Sequence, residues 1–528
     1  MGIMRTIRVL VLFAILVPVA VCAEESPQAG GDAAAPYKIE EVSLGPIPSG
    51  VAGGAASRDG CHMALVVAKG EKGFVVVIDG QAGPGYDGIL EGTPIFSPDG
   101  RRVAYGAQKG GKWFVVLDGQ AGPEYDGIGK GGPVFSLDGK RVGYVAGKGG
   151  KQLVVIDGQE GTAYDGIVEG DPVFSPDGKR VAYGARQGDK GFVVLDGQAG
   201  AVYDGVARIV FSPDGKRVAY AAWKGDKWSV VLDGQAGPEY DGIGEGAPVF
   251  SPDGKRVAYG AKKGVKLLVV LDGQAGPAYD GVAGIVFSPD GKRVAYGAGK
   301  GGKQLVVIDD QAGPEYDLIA EGRLVFSPDG KRVAYGAKKG GKWLVVLDGQ
   351  AGPEYDGIGT LVFSPDGKRV AYGAMKGGKQ FVVIDGRAGP EYDLIGKCSP
   401  VFSPDGKRAA YGARKGETWL VVIDGQAGPE YDGILEGTPV FSPDGERVAY
   451  GAKKGDKWFV VIDGQAGPEY DGIVEGGPVF RPDGMIEYLA VKAGNLVRVK
   501  HVPAVEPRQP TGPGVPAEPG ARPARVEK

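Results

Sequence analysis

The chain has 528 residues, 42% of them hydrophobic, with 61 basic and 65 acidic side chains and a formal charge of −4. That balance excludes a nucleic-acid binder that relies on bulk positive charge, and three cysteines with two histidines leave too little material for a disulfide framework, a zinc site or histidine-based catalysis. The 97 glycines and 38 prolines would signal low complexity in an aperiodic chain, but here they recur with a period.

Residues 1–23 read as a signal peptide. Arg5 and Arg8 precede an apolar run over residues 9–21, and Val21 and Ala23 put small side chains three and one before a cut ahead of Glu24. The run is too short to span a bilayer. A lipid anchor on Cys22 is the alternative, although Val21 stands where Gly, Ala or Ser is usual. Residues 24–36 follow as a disordered linker. Export places the protein in the periplasm or outside the cell, where Cys61 and Cys398 could oxidise; they fall in different repeats and are not expected to meet.

One unit then recurs about twelve times. A turn ending in Asp-Gly appears at Asp59, Asp99, Asp138, Asp177, Asp214, Asp253, Asp290, Asp329, Asp366, Asp405, Asp444 and Asp483, at spacings of 37 to 40 residues. This period suits propeller blades and solenoids. Long and short spacings alternate through the middle, as if a two-repeat unit had been duplicated recently. In the copy from Arg323 to Ile358, Leu324-Val325-Phe326 is a short strand and Ser327-Pro328-Asp329-Gly330 turns the chain. Residues 331–337 form a second strand, 338–342 a polar hairpin loop, and 343–347 a continuous apolar strand covered on both faces. Asp348-Gly349 breaks it, and Glu354-Tyr355-Asp356-Gly357-Ile358 is a last short strand. No 3.6-residue apolar spacing survives a repeat, so helices are not expected. Four antiparallel strands per unit describe a β-propeller blade, and the chain reads as all-β.

The motif Phe-Ser-Pro-Asp-Gly-Lys-Arg-Val-Ala-Tyr, complete at residues 211–220 and 326–335, resembles the repeat of the TolB-like propellers, distant relatives of the WD-repeat propellers. The resemblance covers roughly residues 37–502 and implies a propeller of the bacterial cell envelope. It implies little about function, because this repeat occurs in scaffolds, in periplasmic transport-accessory proteins and as a domain attached to peptidases. The chain departs from the peptidase-linked members in having no hydrolase domain after its repeats. It departs from TolB in having about twice the blades and no separate N-terminal domain.

Residues 37–43 align with the fourth strand of a repeat, whereas the last repeat has only three strands before the tail at 503–528. That tail, with seven prolines and almost no large apolar side chain, is expected to be disordered. Pairing the ends would complete a blade and remove two raw sheet edges. Because propellers usually hold four to eight blades, the favoured arrangement is two six-bladed rings, 37–277 and 278–502, the second borrowing residues 278–282 as the first borrows 37–43. One large closed ring is the alternative.

In a propeller the loops joining strands two and three share a face with the blade-to-blade links. Sorting charges on that rule gives a face carrying Lys109, Lys112, Lys148, Lys151, Lys190, Lys227, Lys263, Lys266, Lys303, Lys339, Lys342, Lys379, Lys415, Lys454 and Lys457, offset in part by Glu91, Glu245, Glu321 and Glu436. The opposite face is expected to hold the turn aspartates with residues such as Asp348, Glu354 and Asp356. The lysine face would dock an anionic, extended partner, an envelope polymer, lipid head groups or an acidic protein, through many weak contacts; alternatively the lysines keep a Gly-rich β protein soluble and block edge pairing.

The loop from Asp118 to Gly127 spaces its carboxylates too widely for a calcium loop, and turn caps explain these aspartates without a metal. The turn fails as a sialidase Asp-box, since Gly follows Asp directly and the later Thr-Trp is missing. Trp113, Trp228, Trp343, Trp419 and Trp458 head the third strand, where inter-blade packing is favoured over a sugar-stacking platform; the Tyr of each Val-Ala-Tyr is expected in the core. Cys61, His62, Trp223, Met375 and Cys398 break the repeat. Adjacent Cys61-His62 makes neither a metal site nor a nucleophile–base couple and reads as drift in a terminal repeat. No catalytic residue and no cofactor is assigned. The chain reads as an exported, non-catalytic binding or scaffold propeller; a propeller hydrolase with carboxylates around a central funnel is the alternative, and a young array with little selected function a third.

Overall fold

A computed structural model describes residues 37–503 apart from 71–72, 245, 247, 323 and 398–399, with the backbone alone at 169 and 171. The signal peptide, linker and tail expected at 1–23, 24–36 and beyond 503, together with Cys22, Cys398 and Glu245, lie outside the described residues. Among the described residues every element is a strand, and none is a helix long and apolar enough to cross a membrane.

The strands form twelve antiparallel sheets, each the blade of a propeller. Blade 6 shows the plan: an inner strand in two pieces (Gly242–Ile243 and Val249–Phe250), then Val257–Lys263, Lys266–Leu271 and an outer strand Gln274–Tyr279. Blades 5, 7 and 9, which end the 37-residue spacings, have an unbroken inner strand such as Gly281–Phe287. The alternating period is therefore a two-residue excursion at the innermost sheet edge. After the third strand comes an Asp-Gly hairpin turn with both residues left-handed (Asp233 φ 52°, Gly234 φ 82°); in blade 7 the pair is Asp309-Asp310, also left-handed (φ 50° and 61°). This conformation matches the strand twist. Aspartate tolerates it because its carboxylate closes the neighbouring strand: Asp233 Oδ1 accepts the Val218 N–H at 2.9 Å.

The outer strand departs from expectation. In most blades only two residues pair, as in Gln350–Ala351, with one further bridge from Tyr355 back to Trp343. Gly357-Ile358 opens the inner strand of the next blade instead. The cause is that Asp356 marks the crossing point between sheets, its side chain holding the next blade's loop (Gly377 N–H, 2.7 Å).

Cores lie between blades. At the joint between blades 6 and 7, Ala258 and Val269 face Tyr279, Tyr296, Ala298, Leu305 and Val307, all buried. The link tyrosine and the Val-Ala-Tyr tyrosine meet edge to face at most such joints, 6.3 Å apart for Tyr279 and Tyr296. This joint is where two rings were expected to part, and it is packed like the rest. Gln274–Tyr279 stays on its own blade, and residues 281–287 pair within the seventh. The N-terminal strand Tyr37–Pro46 does not close a first ring either. It pairs with Asn495–Pro503 as the fourth strand of blade 12. The two-ring reading is thus overturned, and the chain is one closed twelve-bladed ring.

Candidate binding surfaces

The loop face gathers the predicted lysines, but not as a free cationic field. Lys112, Lys151, Lys190, Lys227, Lys266, Lys303, Lys342, Lys379 and Lys457 each pair with the aspartate of their own link, from Asp126 to Asp471. Lys112 Nζ lies 2.7 Å from Asp126 Oδ1, whose other oxygen accepts the Gly149 N–H of the next blade at 2.8 Å. The hydrogen bond from Lys112 holds the Asp126 carboxyl below its usual range, and the lysine is raised in return. Lys148 pairs with Glu160 at 2.8 Å. Lys109, Lys263, Lys339, Lys415 and Lys454 have no carboxylate in ion-pair range among the described residues, and Lys224, Lys300 and Lys376, missed from the sequence, hold the same loop position.

The expected separation of charge between faces is not found. Glu354 and Asp356 sit beside Lys342 on the loop face, both raising its basicity. The reason is that the Pro-Glu-Tyr segment runs back along the third strand to the loop end, as the Trp343–Tyr355 bridge shows. Glu91, Glu321 and Glu436 lie instead in or beside the excursions of the inner strand, at the sheet edge that borders the central channel. The third-strand tryptophans also depart from expectation: they are half-buried and absent from the inter-blade cores, with Trp343 under the Lys338 ammonium at 5.6 Å and Trp228 stacked on Trp223 at 4.6 Å. The Val-Ala-Tyr tyrosines are core residues, Tyr335 only 1% exposed.

On the opposite, turn-bearing face, most joints are stapled by an arginine. Arg256 Nε donates to Asp272 of its own blade at 2.9 Å, a second nitrogen donates to the Lys292 carbonyl of the next blade at 2.6 Å, and the guanidinium lies 5.7 Å from the Phe287 ring. Nine arginines, from Arg102 to Arg408, repeat this reach to the next blade's turn. The carboxylates considered for calcium are therefore occupied: Asp118 by Arg102 and the Val103 N–H, Asp126 by Lys112 and Gly149. Among the described residues no three His, Cys, Asp or Glu side chains converge as a metal site.

The seam between blades 12 and 1 breaks the pattern. The blade 12 turn is one residue shorter, Met485 stands where the staple arginine falls, and Arg481 and Arg498 act in its place. Arg481 donates to Glu487 at 2.5 Å and to Asp59 at 3.3 Å across the seam. Arg498 donates to the Cys61 carbonyl at 2.7 Å, and Lys500 pairs with Glu487 at 3.0 Å. Burial raises Glu487, but hydrogen bonds from Cys61, Lys500 and Arg481 outweigh it and hold the carboxyl at about 2. The Cys61 thiol donates to Glu487 at 3.0 Å, and burial, then that bond, pushes it up to about 12. It stays protonated at neutral pH and is no nucleophile. His62, in the arginine position, is 2.6 Å from Asp79. So Cys61-His62 is part of the closing contact rather than drift. Its partners escaped the sequence reading, though two stand out against the repeat: Arg481 replaces the turn serine and Glu487 the buried alanine of Val-Ala-Tyr.

No family model and no curated protein matches the chain. Solved structures that share its architecture include a eukaryotic initiation factor (13% identity, 61% of this chain and 94% of that one, TM-score 0.34). Others are TolB from Acinetobacter baumannii (14%, 56% and 78%, TM-score 0.22) and the dihydro-heme d1 dehydrogenase NirN (15%, 60% and 77%, TM-score 0.27). At these values the likeness is one of propeller architecture, and nothing about function rests on it.

Proposed function

We propose that the chain is an exported, non-catalytic scaffold that docks a protein partner on its loop face. The observation that carries this reading is the pairing of nine loop-face lysines with link aspartates. A surface of alternating, mutually neutralised charges with half-buried tryptophans between them suits a mixed-charge protein surface better than a polyanion. Near-identical blades present the same groups in rotation, whereas catalysis needs a few unlike groups at unequal positions. The leader-like residues 1–23 support a place outside the cytoplasm.

The test is site-specific photo-crosslinking in intact cells of the source, with the probe at Lys339 on the loop face or at Lys292 on the turn face. Crosslinks to one protein from Lys339 and none from Lys292 are the expected result. Retention on an anionic polymer at physiological salt, abolished by Lys339→Glu with Lys415→Glu, would move the reading to an envelope polymer. Mutation-sensitive turnover of a glycoside or peptide would overturn it.

A further inference from the structure

On the turn face of the closing seam lies an open cavity of about 630 Å³. Arg58, Arg101, Arg481 and His62 form its basic side, and Val479 and Met485 supply apolar wall. Each of these four basic residues departs from the repeat: Arg58 stands where most other turns have proline, Arg101 where most have lysine, His62 in the staple position and Arg481 in place of serine. At ordinary joints the turn lysine pairs with its own turn aspartate, as Lys331 does with Asp329 at 3.6 Å. Arg58 and Arg101 make no such pair among the described residues and are exposed.

The carboxylates around the cavity are already engaged. Asp59 is held by Ser57 and Arg481. Asp99 takes the Ser97 hydroxyl and the Arg101 N–H, and Glu487 takes Arg481 and Lys500. Asp483 accepts the Met485 N–H. What remains is two exposed guanidinium forks with no side-chain hydrogen-bond acceptor among the described residues, Arg101 meeting only the charge of Asp99, beside a cavity of ligand size. Planar forks of this kind match the two oxygens of a carboxylate or phosphate. We infer that the seam cavity is a binding site for a small ligand bearing a carboxylate or phosphate group, held between Arg58 and Arg101 with its apolar part toward Val479 and Met485. The site is on the face opposite the proposed docking surface and does not depend on it.

Calorimetric titration of the full chain with inorganic phosphate and, separately, with succinate tests this at physiological salt. Saturable binding of one probe is expected, and which probe binds identifies the source of the oxyanion. The double variant Arg58→Gln/Arg101→Gln should weaken it at least tenfold, on the order of the loss of one bidentate pair. Arg58→Lys/Arg101→Lys keeps the charge and loses the fork, so it too should bind more weakly. Lys292→Gln/Lys331→Gln at an ordinary joint should leave binding unchanged. The inference fails if neither probe saturates, if the glutamine variant binds like the parent, or if the ordinary-joint variant loses as much.

Discussion

An ordinary joint and the closing seam solve the same problem with different residues. Between blades 6 and 7 the contact is continuous in sequence and uses a tyrosine pair, an alanine floor and the Arg256 staple, whose two ends are 36 residues apart. At the seam, residues 57–62 meet residues 481–501 across more than 400 positions. The ordinary joint gains from proximity, since each blade forms beside one just made. The seam brings distant segments together and must offset a larger loop entropy. It does so with a long strand ladder and a buried charge cluster instead of one arginine. Closure is where this fold is most exposed to damage.

Removing residues 37–46 should have the largest effect. It strips nine registered residues from blade 12, uncovers the edge of Asn495–Pro503 and takes Tyr37, 7% exposed, out of the last core. A loss on the order of 5 kcal/mol is expected from the vacated tyrosine site and broken ladder, read as early proteolysis at blades 12 and 1 and a lower melting temperature. An unchanged melting curve would mean the ring does not depend on its closure. Next comes Glu487→Ala. It leaves Arg481, Lys500 and the Cys61 thiol without their common acceptor in a buried place, a loss of about 3 kcal/mol by denaturant midpoint. An effect no larger than a surface substitution would show the cluster to be ornament.

The repeat itself was legible from the sequence because a hairpin leaves periodic marks: Asp-Gly at positive φ, a β-branched run, and a tyrosine that must be buried. The pairing of the two ends was visible only as the alternative, from a spare strand at one and a missing strand at the other, because the favoured two-ring reading gave the spare strand to a different blade. Ring number was not legible. Tyr279 with Tyr296 is the same interface as Tyr240 with Tyr259, and identical joints carry no signal of how many make a circle. Charge placement failed for a local reason, the return of Glu354 and Asp356 along the third strand, which depends on backbone direction and not on composition. The seam was half visible: Arg481 and Glu487 are conspicuous exceptions, but nothing in sequence order says that they face Cys61.

Acid should sharpen the contrast, because the seam holds the chain's buried imidazole. His501 is 2% exposed, with Nε2 2.9 Å from the Tyr488 hydroxyl and its ring 5.8 Å from that of Tyr37. Burial lowers its pKa from 6.5 to about 4. Between these values the unfolded chain takes up a proton that the folded one refuses. Stability is therefore full above about pH 6.5 and falls as the pH drops toward 4, by at most roughly 3 kcal/mol. Glu487, held at about 2 against 4.5 when free, adds its own loss only below pH 4.5. Melting temperature followed from pH 7 to 4.5 should fall in the parent and stay flatter in His501→Gln. Equal slopes would assign the acid response elsewhere.

The smallest effect is expected at the ordinary joint. Arg256→Ala removes two charge-assisted hydrogen bonds and a stacking contact, but the side chain is 30% exposed and its partner Asp272 42%, so water answers much of what is lost. About 1 kcal/mol is expected by denaturant midpoint. The core of Tyr279, Tyr296 and Leu305 beneath it is untouched, and the flanking staples at Arg217 and Arg293 still hold their neighbours. The loss should also shrink at high salt, which the Tyr37 ladder would not show. If instead Arg256→Ala costs as much as Glu487→Ala, stability is spread evenly around the ring and the seam has no special standing.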